Sequence, residues 1–141
     1  MSATVSETVY ATPDELANRM STAGVHALEL FCVYIGDQLG FYRALHERGP
    51  MSAPELASHA GTNERSTREW LEQQATASFL ACDNSQAPAG ERRFRLPEGY
   101  ETILVDPESA MQMASFAQIV AGTVAPVQQL LAAFRSGAGV P

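Results

Sequence analysis

The sequence predicts a mainly α protein: a winged helix-turn-helix with a small β-hairpin wing and flanking N- and C-terminal helices. Two short helical patterns meet at Gly61, which is the arrangement of a helix-turn-helix. A polar loop and an alternating run at residues 92–96 follow, as expected of a hairpin wing. Apolar residues with helical spacing lie on both sides of this unit. At 141 residues, the chain is about one domain long.

The N-terminal region predicts an arm followed by a helix. Residues 1–12 are rich in Ser, Thr and Ala, and we expect them to form a flexible arm. Thr12 and Pro13 then open a helix, with a cap residue, a proline in the first turn and acidic residues at the positive end of the helix dipole. Gly24 and Gly36 leave the length of this helix open, since either could bend or break it.

This first helix is apolar on two faces. One stripe consists of Leu16, Met20, Ala23, Ala27, Leu30 and Tyr34. The other consists of Val25, Leu28, Cys32, Ile35 and Leu39, and it continues to Tyr42. The second stripe alternates steps of three and four residues, as in a coiled-coil seam. One face can cover the core of this domain, and we expect the other to form a homodimer contact. The alternative is the central helix of a monomeric bundle.

Two short helices are predicted next. The first runs from Phe41 to near Gly49. The second is capped by Ser52, carries Glu55 three residues later as in a capping box, and is stopped by Gly61.

A third helix and the wing complete the central unit. Thr62 or Asn63 is the predicted cap of the third helix. Its inward residues are expected to be Trp70, Leu71, Ala75 and Phe79. Residues 80–82 and 92–96 are predicted to pair as strands, with residues 83–90 as the tip of the wing.

The C-terminal region predicts a second helical part, which begins at Pro107 and is broken or kinked at Pro126. Its apolar side is expected to hold Met111, Ala114, Phe116, Ile119 and Val120, followed by Val127, Leu130, Leu131 and Phe134. Met111 and Met113 flank a single residue, so only one of them can face the core. Met113 and Phe116 are therefore candidates for lining a ligand pocket, with a core role as the alternative.

The charge balance argues against nucleic acid as a partner. The chain has no lysine, and its nine arginines face sixteen carboxylates, which gives a formal net charge of −7. Affinity for DNA rests on neutralising phosphates with Lys and Arg. The third helix carries Glu64, Glu69 and Glu72 beside Arg65 and Arg68. The one basic cluster, Arg92, Arg93 and Arg95, lies in the wing. We expect these arginines to form ion pairs with neighbouring carboxylates instead of contacting phosphates.

No residue pattern predicts a catalytic, cofactor-binding or metal site in this chain. His26, His46 and His59 share no metal-type spacing with one another or with a cysteine. Cys32 lies on an apolar stripe, as a buried inert thiol would. Cys82 has no cationic neighbour in sequence that would lower its pKa.

Membrane and secretion signals are also absent from the sequence. No apolar run approaches the roughly 20 residues that span a bilayer. The N-terminus has no basic segment followed by an apolar one, and two cysteines fifty residues apart are no disulfide framework. We therefore expect a cytoplasmic protein.

Four segments resemble one known family. They are residues 28–45 (LELFCVYIGDQLGFYRAL), 51–57 (MSAPELA), 63–71 (NERSTREWL) and 94–97 (FRLP). These segments resemble the N-terminal winged-helix domain of class I S-adenosylmethionine-dependent methyltransferases. In that family the domain forms the dimer and helps to cover the substrate pocket of the catalytic domain, rather than reading DNA.

The resemblance implies a division of labour between this chain and a catalytic domain. The family binds its cofactor in a Rossmann-like domain through an acidic, glycine-rich loop of the E/DxGxGxG kind, and nothing in this sequence matches that loop. We therefore expect a dimerisation domain at residues 13–135, a linker at residues 136–141 to an absent catalytic domain, and no activity for this chain alone. S-Adenosylmethionine is expected as cofactor of the full-length protein only.

Two alternatives stay open at this point. One is a winged-helix transcription regulator that places its arginines on DNA phosphates. The other is a free-standing accessory subunit that docks onto a separate methyltransferase chain.

Overall fold

The computed structural model describes residues 11–137 and residue 139. Over this part of the chain it contains seven α-helices and one two-stranded antiparallel hairpin, so the predicted mainly α winged helix is confirmed. The predicted arm at residues 1–12 lies outside the described residues except for its last two. Much of the predicted linker at residues 136–141 lies outside them as well.

Helix α1, Pro13–Gln38, is the longest element. Its 26 residues correspond to a length of about 39 Å. Thr12 caps its start, as the sequence predicted, and forms a reciprocal capping box with Glu15. The helix runs without a break through Gly24 and Gly36, so neither glycine interrupts it. Residues 13–26 are all exposed, which means that the N-terminal half of α1 projects from the rest of the molecule.

The helix-turn-helix consists of α2 (Phe41–Arg48), α3 (Ala53–Ala60) and α4 (Glu64–Thr76). Ser52 and Glu55 form the predicted capping box, in which the Ser52 backbone N–H donates to Glu55 Oε2 at 2.7 Å. Gly61 ends α3 in the left-handed conformation with φ of 67°, which explains why a glycine stands there. Asn63 caps α4 by accepting from the Ser66 N–H at 3.1 Å.

The wing is a short hairpin of β1 (Ala81–Cys82) and β2 (Phe94–Arg95), with a 3₁₀ turn at Ala89–Glu91 between them. Met51 pairs with Phe94 on the other side of β2, through two backbone hydrogen bonds of 2.9 Å. This pairing joins the wing to the segment that precedes α3. The Phe94 side chain is fully buried and forms part of the core.

The C-terminal half of α1 is fixed to the helix-turn-helix by Trp70 of α4. The Trp70 indole Nε1–H donates to the Cys32 carbonyl at 2.9 Å. The Trp70 ring packs against Gly36, where an added Cβ would overlap Trp70 Cζ2 and lie 2.8 Å from Tyr42 Cε2. Beside it, the buried Tyr42 hydroxyl donates to Gln74 Oε1. The absence of a side chain at Gly36 therefore lets α1 approach the body closely.

The C-terminal part differs from its prediction in three ways. A short helix, α5 (Glu101–Leu104), follows the wing unpredicted. The next helix, α6, spans Ala114–Val124 and does not begin at Pro107. Residues 107–113 contain turns instead of a helix. At their end, the Met113 N–H donates to the Ile103 carbonyl at 2.8 Å. Helix α6 packs along α1 and buries Ala114 and Ala117, whereas Phe116, for which a core role was the alternative to lining a pocket, is exposed.

Helix α7, Val127–Ser136, follows after a bend of 50°. Pro126 stands at this bend, as predicted. Among the described residues no single helix is long and apolar enough to cross a membrane, and only the bent pair of α6 and α7 together has the length and apolar composition of such a span.

Candidate interaction surfaces

The predicted homodimer residues form one continuous solvent-facing stripe on α1. This α1 seam consists of Val25, Leu28, Cys32, Ile35 and Leu39. At about 100° per residue, the five positions fall within an arc of about 80°. Leu28 is 64% exposed, three of the others are also exposed, and Cys32 is half-buried. Val33, which is buried against the body, lies about 120° from the middle of the seam, and the buried Gly36 lies beside the edge of the seam. The seam is therefore a row of large apolar side chains left in contact with solvent.

An open groove of about 640 Å³ runs beside the seam, between α1 and the end of α4. We call it the α1/α4 groove. It is lined by Val25, Leu28, Glu29, Phe31, Cys32, Gln73, Thr76 and Ala77. Its α1 wall is apolar apart from Glu29. Burial, and next the Glu29 carboxylate, raise the pKa of the Cys32 thiol, so this cysteine stays protonated at neutral pH and is a poor nucleophile.

A second apolar surface lies at the start of α6 and along its exposed residues. The two candidate pocket-lining residues both reach it, with Met113 48% and Phe116 44% exposed. Ile119 extends the same surface. Met111 and Met113 are both exposed, so neither takes the single core position that the sequence allowed for one of them. The physical reason is that α6 packs on α1 through alanines, whose small side chains allow a close approach without the neighbouring methionines.

Helix α7 carries a third apolar surface. Four of its side chains, Val127, Leu130, Leu131 and Phe134, are exposed. None of its residues is buried, and Phe134 reaches 84% exposure. An amphipathic helix normally buries its apolar stripe, so this helix presents a surface suited to a further contact.

The wing and α4 differ from these surfaces because the three wing arginines and Arg65 of α4 are paired with carboxylates of the same domain. Arg92 Nη1 lies 2.7 Å from Glu72 of α4. The other two wing arginines are also paired: Arg93 Nη1 lies 3.0 Å from Glu55, and Arg95 Nε lies 2.7 Å from Asp83. On the exposed side of α4, Arg65 Nε lies 3.0 Å from Glu69. A DNA phosphate would have to compete with a carboxylate at each of these four arginines.

A shallow polar cavity of about 450 Å³ lies between the end of α2, α3 and the wing. The residues that line it include Arg48, Ser58, His59 and Arg93. Arg93 is already engaged there, since its guanidinium also donates to the Pro50 carbonyl. In the part of the chain that the structure describes, no group of three His, Cys, Asp or Glu side chains is placed to hold a metal ion.

Sequence reasoning named the residues of the α1 seam, Met113 and Phe116, whose roles stay predictions, but it did not name the α1/α4 groove. Neither set of residues that lines the groove has a sequence pattern that would predict a groove by itself. Gln73, Thr76 and Ala77 follow the seam by more than thirty residues in the sequence, and the contacts of Trp70 with Cys32 and Gly36 bring α4 against α1. No local signal in the sequence reports that contact.

Comparisons with known proteins agree with this architecture. The sequence profile of the Rv2258c-like winged HTH domain matches residues 27–105. No curated protein sequence matches the chain significantly.

Several solved structures share the fold. The N,N-8-amino-8-demethyl-D-riboflavin dimethyltransferase of Streptomyces davawensis superposes with a TM-score of 0.70 at 21% identity, over 92% of this chain and 36% of the enzyme. Human N-acetylserotonin methyltransferase, solved with S-adenosylmethionine, gives 0.67 at 17% identity, over 92% of this chain and 37% of the enzyme. The mitomycin 7-O-methyltransferase gives 0.61 at 22% identity, over 92% and 37%. The chain thus spans little more than a third of these enzymes, and the predicted resemblance to a methyltransferase winged helix is confirmed as a likeness of fold.

Proposed function

Because the chain belongs to the family of Rv2258c-like winged HTH domains, we propose that it uses this fold for protein–protein contact. It is the dimerisation domain of an S-adenosylmethionine-dependent methyltransferase, and it covers part of the substrate pocket. The observation that carries the proposal is the contrast between wing arginines paired with carboxylates and unpaired apolar side chains on α1, α6 and α7.

The α1 seam is the proposed homodimer contact. Its spacing of alternately three and four residues is that of a coiled-coil seam, and four of its five side chains are exposed in one chain. Exposed apolar side chains in a continuous patch favour association, since burying them removes apolar area from water. The projecting N-terminal half of α1 lengthens the surface available to a partner copy.

The outer face of α6 is the proposed contact with a catalytic domain. Met113 and Phe116 would lie on the substrate side, where a flexible thioether and an aromatic ring suit an apolar ligand. Support comes from the structural neighbours, which are methyltransferases of which this chain spans little more than a third. S-Adenosylmethionine would be bound by that catalytic domain, because the sequence of this chain offers no glycine-rich acidic loop. Whether that domain continues the same chain or belongs to a separate one, as for an accessory subunit, does not alter the contact.

DNA binding is the alternative function, and the winged helix-turn-helix fold favours it. The net charge of −7 and the carboxylate partners of the wing arginines weigh against it. An electrophoretic shift assay with mixed-sequence duplex DNA at low salt decides the matter. We expect no shift, and a salt-sensitive complex would favour the regulator over the dimerisation domain.

Sedimentation equilibrium of two variants tests the homodimer. Ile35→Asp places a carboxylate in the seam, and we expect it to dissociate the dimer because an unpaired buried charge costs several kcal/mol. Ile35 is 44% exposed in the single chain, so the fold itself should tolerate the change. Thr22→Asp is the matched control, since it adds the same charge to an exposed position of α1 that lies off the seam. An Ile35→Asp protein that remains as dimeric as Thr22→Asp would overturn the assignment of this face.

Calorimetric titration with S-adenosylmethionine tests the division of labour. We expect no heat of binding to the 141-residue chain. Micromolar affinity would place a cofactor site within this domain and contradict the proposal.

A further inference from the structure

The shallow polar cavity between the end of α2, α3 and the wing is positively charged in an acidic chain. We call it the α3 cavity. Among the described residues that line it, Arg48 and Arg93 carry guanidinium groups and Glu55 is the one carboxylate, whereas the whole chain has a formal net charge of −7. We propose that the α3 cavity binds the phosphate group of a small molecule. Its lining residues belong to none of α1, α6 and α7, so this site is separate from the surfaces proposed for the homodimer and the catalytic domain.

Two side chains of the α3 cavity hold hydrogen-bond donors that the chain itself does not use. Arg48 is the last residue of α2, His59 lies in the last turn of α3, and both are exposed. In the part of the chain that the structure describes, neither side chain forms a hydrogen bond or an ion pair. Helix dipoles favour a cation at each of these positions separately, but they do not require that both side chains line one cavity together with Arg93. The shared cavity therefore indicates a ligand of opposite charge.

The guanidinium of Arg93 is held in one orientation by the domain. Its Nη1 donates to Glu55 Oε2 at 3.0 Å, and its Nη2 donates to the Pro50 carbonyl. Glu55 is committed as well, since the Ser52 backbone N–H donates to the same oxygen at 2.7 Å. An arginine has five N–H donors, so Arg93 retains donors for a ligand. A donor that is already fixed in place loses little conformational entropy when the ligand binds.

The kinds of donor in the α3 cavity suit a phosphate group. Guanidinium groups donate pairs of parallel hydrogen bonds to phosphate oxygens, and such charge-assisted bonds are roughly twice as strong as neutral ones. The Ser58 hydroxyl and the His59 ring, which has an N–H in either protonation state, add two further donors. A phosphate monoester offers three acceptor oxygens and about two negative charges at neutral pH. A carboxylate offers fewer oxygens and less charge, so phosphate matches this set of donors better.

The size of the α3 cavity favours a small phosphorylated molecule over a nucleic acid. Its volume of about 450 Å³ falls within the range of about 300–1,000 Å³ that small-molecule sites occupy. Pro50 and Met51 supply apolar surface for the organic part of such a ligand. Duplex DNA would instead extend beyond the cavity, over a wing whose Arg92 and Arg95 are already paired with carboxylates. A single phosphate group needs only the cavity.

Titration of the isotope-labelled 141-residue chain with inorganic phosphate, followed by NMR, tests the site. NaCl keeps the ionic strength constant, because surface electrostatics respond to salt. We expect saturable shifts of the backbone N–H signals of Ser58, His59 and Arg93. No saturable shift up to about 50 mM phosphate would overturn the inference, since a site with a dissociation constant of about 1 mM would then be nearly full. Saturable shifts confined to other elements would overturn it as well.

Two pairs of variants test whether the lining side chains contact the anion. Arg48→Gln should raise the dissociation constant for phosphate about tenfold, because it removes charge-assisted hydrogen bonds. Arg43→Gln is its matched control, since Arg43 is an exposed arginine of the same helix that does not line the cavity. His59→Gln should raise the constant about threefold, with the exposed His46→Gln of α2 as its control. A lining variant that binds phosphate as tightly as its control would overturn the inference.

A gain of affinity separates the site from any loss of folding. Glu55→Gln removes the one carboxylate among the described lining residues, and glutamine still completes a capping box with Ser52. We expect the dissociation constant for phosphate to fall about threefold, because a competing charge is lost. Glu98→Gln removes the same charge from an exposed position outside the cavity and should leave the constant unchanged. An unchanged or raised constant for Glu55→Gln would contradict the electrostatic basis of the site.

Three further ligands identify what carries the phosphate group. Phenyl phosphate should bind at least as tightly as inorganic phosphate: tighter binding identifies a phosphate ester as the ligand, and equal binding identifies the free ion. Benzoate keeps the ring and replaces phosphate by a carboxylate, so we expect it to bind about tenfold more weakly than phenyl phosphate. Comparable binding of benzoate would overturn the assignment to phosphate. Duplex DNA that displaces phenyl phosphate from the cavity would overturn the assignment to a small molecule and favour the DNA-binding alternative.

Discussion

The winged-helix body and the outer helices differ in how far their apolar side chains are buried and their charged side chains are paired. In the body, Phe41, Leu56 and Phe94 are buried almost completely, and the wing arginines are held by carboxylates of the same domain. On α1, α6 and α7, large apolar side chains face solvent. Within the described residues, no buried side-chain nitrogen or oxygen lacks a hydrogen-bond partner. The body is therefore self-sufficient, and the outer helices are not.

This difference is the basis of the proposed function. In a DNA-binding winged helix, the recognition helix and wing would offer unpaired positive charge to phosphates. Here Glu72 of α4 holds Arg92 of the wing, so that the two elements that would contact DNA neutralise each other. The surfaces left over are apolar, and apolar surface is what protein contacts bury.

The largest expected difference between the body and the outer helices is in the free energy of unfolding lost when a phenylalanine of each is replaced by alanine. Phe94→Ala removes a fully buried ring of the core and should lower the free energy of unfolding by about 3–5 kcal/mol. Phe134→Ala removes an exposed ring and should change it by less than about 0.5 kcal/mol. Both are measured by urea denaturation in the Ile35→Asp background, so that dimerisation does not contribute. A large loss for Phe134→Ala would mean that α7 belongs to the body.

Two glycines of α1 sharpen the comparison within one helix. Gly36→Ala forces a methyl group into the Trp70 and Tyr42 rings and should cost about 1–3 kcal/mol through overpacking. Gly24→Ala meets nothing within 4 Å and should stabilise the protein by about 0.5–1 kcal/mol, because alanine is the better helix former. Thermal unfolding of the two variants should shift in opposite directions. The same direction for both would show that the projecting and anchored halves of α1 do not differ as described.

Two arginines test how far the body depends on its ion pairs. Arg92→Gln removes a pair that is about one-third exposed and joins the wing to α4, so we expect a loss of about 1 kcal/mol. Arg65→Gln removes a well-exposed pair within α4 and should cost about 0.3–0.5 kcal/mol. Denaturation at low and high NaCl should show both losses shrinking with salt. A larger loss for Arg65→Gln would contradict the structural role assigned to the wing contact.

The smallest expected effect is the contribution of Glu55 to the pH dependence of the free energy of unfolding. Hydrogen bonds from Ser52, first of all its backbone N–H, and then from Arg93 lower the pKa of Glu55 from its ordinary value of 4.5. A lowered pKa in the folded state contributes stability above the ordinary value and loses it as pH falls through the folded value. Glu55→Gln should therefore differ from the parent above pH 4.5 and converge with it in acid. Denaturation between about pH 3 and pH 7 checks this, and parallel curves would contradict it.

The parts of the fold that the sequence predicts are those set by local rules. The capping box at Ser52 and Glu55, the stop at Gly61 and the cap at Asn63 each involve residues within a few positions of one another. They are confirmed because such signals need no tertiary partner. The same reasoning misplaced the start of α6 at Pro107, where a proline followed by an acid resembles a helix start but the chain forms turns.

Other features depend on contacts between distant segments. Gly36 could have ended α1, but Trp70 packs against it and the helix continues. The hydrogen bond from Tyr42 to Gln74 crosses more than thirty residues of sequence and has no local signature. In the candidate sites, the spacing of the α1 seam was readable because it lies on one helix, whereas the α1/α4 groove was not, because its two walls come together only in the folded chain.

Sedimentation velocity of the unaltered chain, run over a wide concentration range beside Ile35→Asp, tests most directly whether this is a dimerisation domain. We predict a species of twice the 15.2 kDa mass of one chain for the unaltered protein, and a folded monomer for the variant. A folded monomer at every concentration of the unaltered protein would contradict it, since the apolar seam of α1 would then have a purpose other than joining two copies.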